Sequence, residues 1–420
     1  MRFVYICIAY LISPLWIAAL ALRGFRDRTH WQGFSQRFGL GPAVAAGRSI
    51  WVHAVSVGEV QAAVPLIEAL LKRFPTFPLV LTTVTPTGRA RAKAMFGSRV
   101  DVRYVPIDLP GSVRRFFARV RPQLAVILET EIWPNLYHNC GRRGVPLVLA
   151  SARISPRSVN SYRRLVGLFR ETLSHGIFIA AQSAEDADRF VSIGANPKRT
   201  HVVGNIKFDF GYPPDIEARG HELRQMLGMH RPVWVAGSTH AKEEEALIEA
   251  HRLIRERYSN ALLVLVPRHP PRFNEVSTIL KERGIRFVRR TSALPVTSGT
   301  EVYLLDTLGE LPPFYAAGDV AFVGGSLVPI GGHNLLEPAA LSLPIVAGPH
   351  NFNSADIARM LIERGAVRIV QDAATLAAVV GDLLADPAAR ATMGASGRKA
   401  VDDNRGAVAR LMQFLEPLLP

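Results

Sequence analysis

The sequence predicts an α/β protein with two doubly wound, Rossmann-like lobes and an N-terminal membrane-anchor helix. From about residue 49 onward, short apolar runs alternate with amphipathic stretches, the pattern of buried parallel strands joined by right-handed crossover helices. The alternation breaks at residues 204–215, GNIKFDFGYPPD, and then starts again. Because Gly, Pro and aromatic clusters of this kind mark domain boundaries, the pattern predicts two lobes.

The composition favours a folded protein with polyanionic partners. Of the 420 residues, 48% are hydrophobic and 20% are charged, which is enough apolar material for a sizeable core. An excess of 50 Lys and Arg over 35 Asp and Glu gives a net charge of +15. That charge suits nucleic acid, anionic lipid or a phosphorylated substrate and does not choose among them. With only Cys7 and Cys140, a disulfide framework or a cysteine zinc site is excluded.

The anchor prediction rests on residues 3–22, FVYICIAYLISPLWIAALAL, which carry no charge. A helix of this length covers about 30 Å, the thickness of a bilayer core, and Pro14 is tolerated in such a helix. Arg23, Arg26 and Arg28 follow the run, so the positive-inside rule places the body in the cytoplasm. A cleaved signal peptide is disfavoured because the run is long and lacks a small-x-small site. A helix lying in the membrane interface remains an alternative.

The basic and aromatic segment after the helix, residues 25–40, reads FRDRTHWQGFSQRFGL. This mixture suits a position at the level of the lipid headgroups, and a solvated basic linker is the alternative.

Taken in order, the predicted elements divide the chain into six segments. First-lobe strands are predicted at Ile50–Val55, Pro78–Thr83, Asp101–Val105, Leu124–Leu128, Pro146–Ala150 and Gly176–Ala180. Second-lobe strands are predicted at Pro232–Ala236, Ala261–Val266, Arg286–Val288, Val302–Leu304, Val320–Val323, Pro344–Val346 and Val367–Val370. The segments are an anchor (1–24), a linker (25–48), the first lobe (49–208), an interlobe linker (209–215), the second lobe (216–395) and a C-terminal helix (396–420).

Ligands of doubly wound sheets bind outside the carboxyl ends of the strands, and two such lobes predict a cleft between them. In the first lobe, Glu59 follows the first strand near a helix N-terminus, where an ordinary first-turn carboxylate is the alternative. Glu129 and Glu131 follow the fourth strand, and carboxylates leaving a buried strand are costly unless paired or used. Lys207 comes next to the lobe boundary, where it is suited to neutralise a phosphate or carboxylate or to lie on the surface.

In the second lobe, Ser238 and Thr239 precede a helix and form either a candidate anion nest or a helix cap. Arg268 ends the next strand and suits a nucleotide phosphate, whereas His269 read alone suits packing. The glycine-rich stretch that includes Gly325 and Gly332 lets the backbone approach a ligand closely. A helix predicted to begin at Asn334 would direct free amides at an anion, and Glu337 would accept ribose hydroxyls.

Ten motifs in order, from about residue 50 to 355, resemble the 3-deoxy-D-manno-octulosonic acid (Kdo) transferases of lipopolysaccharide biosynthesis. They are WVHAVSVGEV, TTVTPTG, ETEIWPN, SARIS, GNIKFD, AGSTHAKEEE, VPRHPPR, DTLGEL, FVGGSLVPIGGHNLLEPA and GPHNFN. The resemblance implies a GT-B glycosyltransferase fold and an inverting transfer of Kdo that needs no metal or cofactor. It departs from the family pattern at Pro271, where an acidic residue is usual, and this change should not disturb Arg268 or His269.

The same resemblance implies roles for single residues. Glu59 matches the general base that removes the proton of the acceptor hydroxyl. Glu129 and Lys207 match positions that stabilise the transition state, with Glu131 as the alternative carboxylate. The residues that match CMP-binding segments are Arg268, His269, Leu308, Gly309, Glu310, Asn334, Leu335, Leu336 and Glu337.

The implied partners are CMP-Kdo as donor, the lipid A precursor lipid IVA as acceptor and an anionic membrane surface. The implied location is the inner membrane, with the body on the cytoplasmic side. A GT-B enzyme using a UDP- or ADP-sugar on a lipid acceptor is the main alternative, and would differ in the loops 308–310 and 334–337. A nucleic-acid-binding protein is disfavoured because the arginines are dispersed, and a non-catalytic lipid-binding relative is disfavoured because Glu59 is present. The sequence does not set the number of Kdo units transferred or the oligomeric state.

Overall fold

The computed structural model describes residues 1–45, 47–156, 158–159, 162, 166–173 and 176–419. The chain forms two compact units. The first unit contains Met1–Phe210 together with Asn404–Pro420, and the second contains Gly211–Asp403. Each unit is built on one seven-stranded parallel sheet, which confirms the predicted α/β class with two doubly wound domains.

The first unit has the strand order β3-β2-β1-β4-β5-β6-β7. Its strands are β1 (Ser49–His53), β2 (Leu79–Thr83), β3 (Asp101–Tyr104), β4 (Pro122–Leu128), β5 (Leu147–Ala152), β6 (Phe178–Ala181) and β7 (Thr200–Val202). Its helices before the boundary are α1 (Arg2–Arg26), α2 (Val57–Ala62), α3 (Val64–Arg73), α4 (Pro86–Phe96), α5 (Pro110–Val120), α6 (Pro134–Arg142), α7 (Val166–Leu173) and α8 (Ala184–Ser192). β1 lies inside the sheet, where Ile50 aligns with Leu79 of β2 on one side and with Leu124 of β4 on the other.

Both faces of this sheet are buried, as expected of strands that read as continuous apolar runs. One face packs β1 and β4 against α3, with Leu66 and Leu70 fully buried there. The other face buries Trp51, whose ring meets Phe116 edge-on at a centroid distance of 5.0 Å. Alternate residues of β1 therefore serve opposite faces, as the two-residue period of a strand requires.

The second unit has the strand order β10-β11-β9-β8-β12-β13-β14. Its strands are β8 (Val233–Thr239), β9 (Leu262–Pro267), β10 (Phe287–Arg289), β11 (Val302–Leu304), β12 (Val320–Val323), β13 (Ile345–Ala347) and β14 (Val367–Ile369). Its helices are α9 (Ile216–Leu227), α10 (Glu244–Arg257), α11 (Pro270–Glu282), α12 (Leu311–Ala317), α13 (Leu336–Ala340), α14 (Ala355–Glu363), α15 (Ala373–Ala385) and α16 (Pro387–Asp403). Trp234 of the central strand β8 is fully buried and donates a hydrogen bond from its indole to His251.

The C-terminal segment returns to the first unit. Helix α17 (Ala407–Leu415) packs against α3, and its Leu411 and Leu415 are fully buried in the same core as Leu70. Asp209 fastens this return because its carboxylate accepts hydrogen bonds from the backbone amides of Gly406 and Val408. The stretch expected from the sequence to form one C-terminal helix is thus divided between the units, and its last residue, Pro420, lies outside the described residues.

Helix α1 is long and apolar enough, by length and composition, to cross a membrane. Two 3₁₀ turns, Arg28–Trp31 and Phe34–Phe38, follow it and carry a run of aromatic side chains that pack in tilted and edge-on contacts. Gly39, at the end of this run, has a left-handed φ of 73°, and a Cβ there would overlap the carbonyl oxygen of Ser112. The segment after α1 is therefore packed tightly onto α5.

Candidate active site

The strand order brings the predicted carboxylates of the first unit to one edge of the sheet. β1 pairs with β2 on one side and with β4 on the other, so the connections after β1 and β4 diverge at this point. Such a switch point at the carboxyl ends of the strands is where doubly wound sheets bind ligands. Glu59 follows β1 and Glu129 follows β4, so both belong to this crevice.

Glu59 is held by the first turn of α2. Ser56 is the N-cap, and the Glu59 carboxylate reaches back to accept hydrogen bonds from the Val55 amide at 2.8 Å and the Ser56 hydroxyl at 3.2 Å. This arrangement resembles a capping box and fixes the side chain. Burial raises the pKa of Glu59 to about 7, and the charges of Glu129 and Glu131 add to the rise. At neutral pH the carboxyl is therefore poised between its two protonation states.

Glu129 lies in an ion cluster with two cations from separate loops. The Lys207 ammonium donates to Glu129 Oε1 at 2.6 Å, and Arg153 Nε lies 3.6 Å from Oε2. Glu129 adopts a φ of 58°, a left-handed conformation that is costly for a residue with a Cβ. Strain of this kind persists where surrounding contacts over-determine it, and the pairing with Lys207 supplies such a contact.

Glu131 has different surroundings from Glu129. Its carboxylate accepts a hydrogen bond from the Trp133 indole at 2.8 Å, and its backbone carbonyl accepts one from the Tyr137 hydroxyl. Burial raises the pKa of Glu131. The choice between the two carboxylates stays a prediction, but only Glu129 has a strong ion pair with Lys207.

In the second unit, the loops after β8, β9 and β12 bring together His240, His269 and His333. These strands are neighbours at the centre of the sheet. The rings of His240 and His333 are stacked 5.0 Å apart, with their Nε2 atoms 2.7 Å from each other, and His269 meets His240 edge-on at 5.3 Å. The short Nε2 separation requires one ring to donate and the other to accept, so the pair shares at least one proton.

The histidine cluster lies in a cationic environment. The pKa of His333 is lowered to about 3, mainly by burial and in part by the charge of the neighbouring Arg268. The pKa of His240 is lowered by burial and by the charges of His269 and Arg268. Because the Arg268 guanidinium is positive and neutral imidazoles can still donate an N–H bond, the cluster is suited to an anionic ligand. Predicted residues Arg268 and His269 both belong to it.

The glycine-rich loop after β12 is organised by a residue that the sequence argument did not select. Glu243 is fully buried, and its carboxylate accepts hydrogen bonds from the amides of Gly325, Ser326, Leu327 and His240 at 2.8–3.2 Å. Burial raises the pKa of this carboxyl, and the four amide bonds act in the opposite direction. The backbone amides of Gly325, Ser326 and Leu327 are therefore already bound by a side chain of the protein itself.

Three other predicted positions of the second unit, Ser238, Thr239 and Gly332, differ in exposure and in their contacts. The Thr239 hydroxyl is buried and donates to Glu244, whereas the neighbouring Ser238 is partly exposed with a φ of 58°. Gly332 has a φ of 73°, and a Cβ there would overlap Asn351. The turn at Gly332 consequently requires glycine to bring the loop close to its neighbour.

The helix expected to begin at Asn334 begins at Leu336 and is short. The Asn334 side chain accepts a hydrogen bond from the Leu336 amide and donates to Glu337 Oε1 at 3.2 Å, so one of the amides expected to be free is capped. Leu335 and Leu336 are buried, and any contact they make with a ligand must come from the backbone. Asn334 is exposed and Glu337 is partly exposed.

The predicted loop of Leu308, Gly309 and Glu310 follows β11. Leu308 is exposed, and Gly309 has a left-handed φ of 85°. Glu310 pairs with Arg290 at 2.9 Å, and this pairing lowers the pKa of its carboxyl. The structure does not join this loop to the histidine cluster by a side-chain contact among these residues.

Arg153, His240, His333 and Glu243 were not selected from the sequence as site residues, although each lies inside a motif that carried the family resemblance. Isolated histidines and arginines give no signal by spacing, because their partners come from distant loops. Within the described part of the chain, no group of three or more His, Cys, Asp or Glu side chains is arranged to hold a metal ion.

Comparisons with known proteins agree with this architecture. The family model described as 3-deoxy-D-manno-octulosonic-acid transferase (kdotransferase) matches residues 32–210. The solved UDP-GlcNAc 2-epimerase of Neisseria meningitidis, bound to UDP-GlcNAc, superposes with a TM-score of 0.59 at 12% identity. That match covers 88% of this chain and 100% of the epimerase, and it shows a shared fold.

Similarity in sequence is much closer to two curated proteins named 3-deoxy-D-manno-octulosonic acid transferase. The protein from Haemophilus influenzae is 39% identical, with 100% of this chain and 99% of that protein aligned. The protein from Bordetella pertussis is 38% identical, with 97% of each chain aligned. Identity of this extent over both whole lengths, together with the GT-B architecture, shows that the chain belongs to the Kdo transferases, a glycosyltransferase family of lipopolysaccharide biosynthesis.

Proposed function

We propose that this chain transfers Kdo from CMP-Kdo to lipid IVA with inversion, and that Glu59 is the general base. The acceptor hydroxyl oxygen forms the new bond to the anomeric carbon as the bond from that carbon to the CMP phosphate breaks. The hydroxyl proton passes to Glu59, and CMP leaves with the electron pair of the broken bond. No redox step or cofactor enters this balance.

The single observation that carries the proposal is the state of Glu59. A general base works best when its pKa lies near the operating pH, and burial raises the pKa of this carboxyl to about 7. Its two hydrogen bonds, from Val55 and Ser56, leave lone pairs on both oxygens to receive a proton. Base assistance of this kind contributes about 10²–10⁴-fold to a rate.

We assign supporting roles in the transfer to the positively charged residues and hydrogen-bond donors of both units. Lys207 and Arg153 pair with Glu129 and provide fixed positive charge at the switch point of the first unit, which we assign to stabilising charge in the transition state. In the second unit, Arg268 and the histidine cluster offer donors to the phosphate of CMP or to the Kdo carboxylate. Asn334 and Glu337 are assigned to the nucleotide, in keeping with their exposure.

The acceptor assignment accounts for two features outside the site. Lipid IVA carries phosphates and acyl chains, which suit the net charge of +15 and the apolar helix α1. We place the protein at the inner membrane with its body on the cytoplasmic side, because Arg23 and Arg28 follow the apolar run.

The decisive experiment compares wild type, Glu59→Gln and Glu68→Gln in transfer of Kdo to lipid IVA. CMP-Kdo is regenerated in place by a CMP-Kdo synthetase, and products are read by mass. Glu68 is a matched control because it is an exposed carboxylate of the same unit that pairs with Arg99. We expect Glu59→Gln to lose about 10²–10⁴-fold in kcat, and Glu68→Gln to retain wild-type activity.

Two outcomes would contradict the proposal separately. Wild-type activity in folded Glu59→Gln would remove Glu59 as the base and leave the donor and acceptor standing. Inactivity of the wild type with CMP-Kdo, together with transfer from a UDP- or ADP-sugar, would refute the donor.

A further inference from the structure

Helix α1 has two unlike faces along its whole length. Phe3, Leu11, Leu15, Leu22 and Phe25 are 65–79% exposed and lie on one side of the helix. Between residues 3 and 22 this exposed side carries no charge. An apolar surface of this extent on a folded protein marks an interaction site.

The opposite face of α1 is less exposed, and its first turns face the first unit. The less exposed positions recur at the three- and four-residue spacing of one helical stripe: Arg2, Tyr5, Ala9, Ser13, Ile17, Leu20 and Gly24. This spacing places them on a single line down the helix. The stripe therefore runs from the first turn to the last.

The amino end of α1 is fastened to the body by polar contacts. The Tyr5 hydroxyl donates to the buried carboxylate of Asp108 at 2.9 Å, and Arg2 Nε donates to Asn135 Oδ1 at 3.2 Å. Asp108 also accepts the backbone amides of Asn135 and Leu136, which ties this contact to the start of α6.

The middle of the helix lies near the body, with Tyr10 still 49% exposed, and the carboxyl end packs against the turn that follows it. Tyr10 reaches Gly111 at the start of α5, where its hydroxyl would lie 3.9 Å from a Cβ. Gly24 lies so close to Trp31 of the following 3₁₀ turn that a Cβ on Gly24 would overlap the indole. Leu20, one helical turn earlier, is also buried.

These contacts conflict with a helix that crosses the bilayer. A crossing helix carries its amino end to the far side of a hydrocarbon layer about 30 Å thick. In the structure, by contrast, Arg2 and Tyr5 at the amino end of α1 bond to the body of the first unit, and the segment that follows the carboxyl end packs on α5 at Gly39. We propose that α1 is an in-plane anchor, which lays its exposed apolar face in one leaflet of an anionic membrane and does not cross it.

Charge identifies the occupant of this face as lipid. The exposed arginines Arg23 and Arg28 flank the carboxyl end of α1. Arg114 and Arg142 are exposed on α5 and α6, the helices that α1 contacts. An apolar strip bordered by arginines matches acyl chains bordered by anionic headgroups.

The in-plane position of α1 also bears on how a lipid acceptor reaches the site, and this part of the inference rests on the proposed function. Asn135, which holds the amino end of α1, follows Glu129 and Glu131 by only a few residues in the same loop and helix start. The anchor thereby keeps the acceptor-side carboxylates close to the leaflet from which a lipid acceptor must come.

The first test locates the amino terminus. A cysteine is inserted after Met1 of the full-length protein in a Cys7→Ser background, and a membrane-impermeant maleimide is added to intact spheroplasts and to inverted inner-membrane vesicles. An in-plane helix predicts labelling in inverted vesicles and none in spheroplasts. Labelling from the outer side of spheroplasts would overturn the proposal. A single-pass protein with an outer-side cysteine serves as the labelling control.

The second test uses the photo-crosslinker p-benzoylphenylalanine at Tyr10 or at Leu11, in native membranes. We expect the probe at position 10 to crosslink within the chain to the peptide around Gly111, and the probe at position 11 to crosslink to phospholipid. Crosslinking of both positions to lipid alone would show a crossing helix, and crosslinking of position 11 to another protein would refute lipid as the occupant. Neither readout depends on transfer activity, so a failure of the in-plane anchor can be distinguished from a failure of the proposed function.

Discussion

Replacing Glu243 by glutamine tests whether this buried carboxylate shapes the glycine-rich loop. Its oxygens accept four backbone N–H bonds, two on Oε1 from Ser326 and Leu327 and two on Oε2 from Gly325 and His240. A glutamine keeps one oxygen and turns an NH₂ group toward the other two donors, which lose their acceptor.

The cost can be worked from those two donors. A buried N–H without a partner costs about 1–3 kcal/mol, so the substitution costs about 2–6 kcal/mol in all. Since about 1.4 kcal/mol corresponds to a factor of ten, amide exchange in the loop should accelerate by about 30-fold to more than 10⁴-fold. Because His333 lies on the same loop and stacks on His240, binding of the donor sugar nucleotide should weaken more than binding of the acceptor.

The assay is hydrogen exchange read by mass spectrometry on peptides that contain residues 324–333, with KM measured separately for the donor and for the acceptor. Glu249→Gln is the control because Glu249 is an exposed carboxylate on the same helix that pairs with Arg252. An amide exchange rate in the loop of Glu243→Gln equal to that of the wild type would refute the reasoning. So would a rise in acceptor KM equal to the rise in donor KM.

Two further predictions concern the first unit. With Glu59 as base, log kcat/KM should fall by about one per pH unit below pH 7, because the carboxyl must be ionised and burial raises its pKa to about 7; a profile that is flat between pH 5 and 8 would contradict this. Leu411→Ala should lower the free energy of unfolding of the first unit by about 2–5 kcal/mol, since it opens a cavity in a fully buried position. Urea denaturation measures this loss. The control Leu294→Ala, at an exposed position, should change the free energy of unfolding little. Equal stability of both variants would show that the C-terminal helix does not belong to this core.

The sequence by itself determined the class of the fold and the family. Buried parallel strands must be apolar on both faces, so their positions are visible as short apolar runs, and each predicted strand is present with ends shifted by a few residues. The position of Glu59 and Glu129 at the carboxyl edge of the sheet also followed from the sequence, because each comes directly after a predicted strand, whereas the switch point between β1 and β4 is known only from the strand order in the structure.

Only the tertiary structure decided which groups meet. The return of α17 to the first unit, the pairing of Glu129 with Lys207 and the stack of His240 on His333 all join residues far apart in the chain. No local pattern encodes such contacts, since periodicity reports only which face of an element is buried and not what covers it.

The same limit applies to two expectations whose details depend on tertiary contacts. The glycine-rich loop was expected to approach a ligand with its backbone, and the structure shows that Glu243, from the loop after the neighbouring strand, binds three of its amides. The helix after this loop begins two residues later than expected. An uncharged run long enough to cross a membrane predicted an anchor, but its orientation depends on contacts made by Tyr5 and Tyr10 with the body. Hydropathy measures how apolar a helix is, whereas tertiary packing determines which of its faces remains for the lipid.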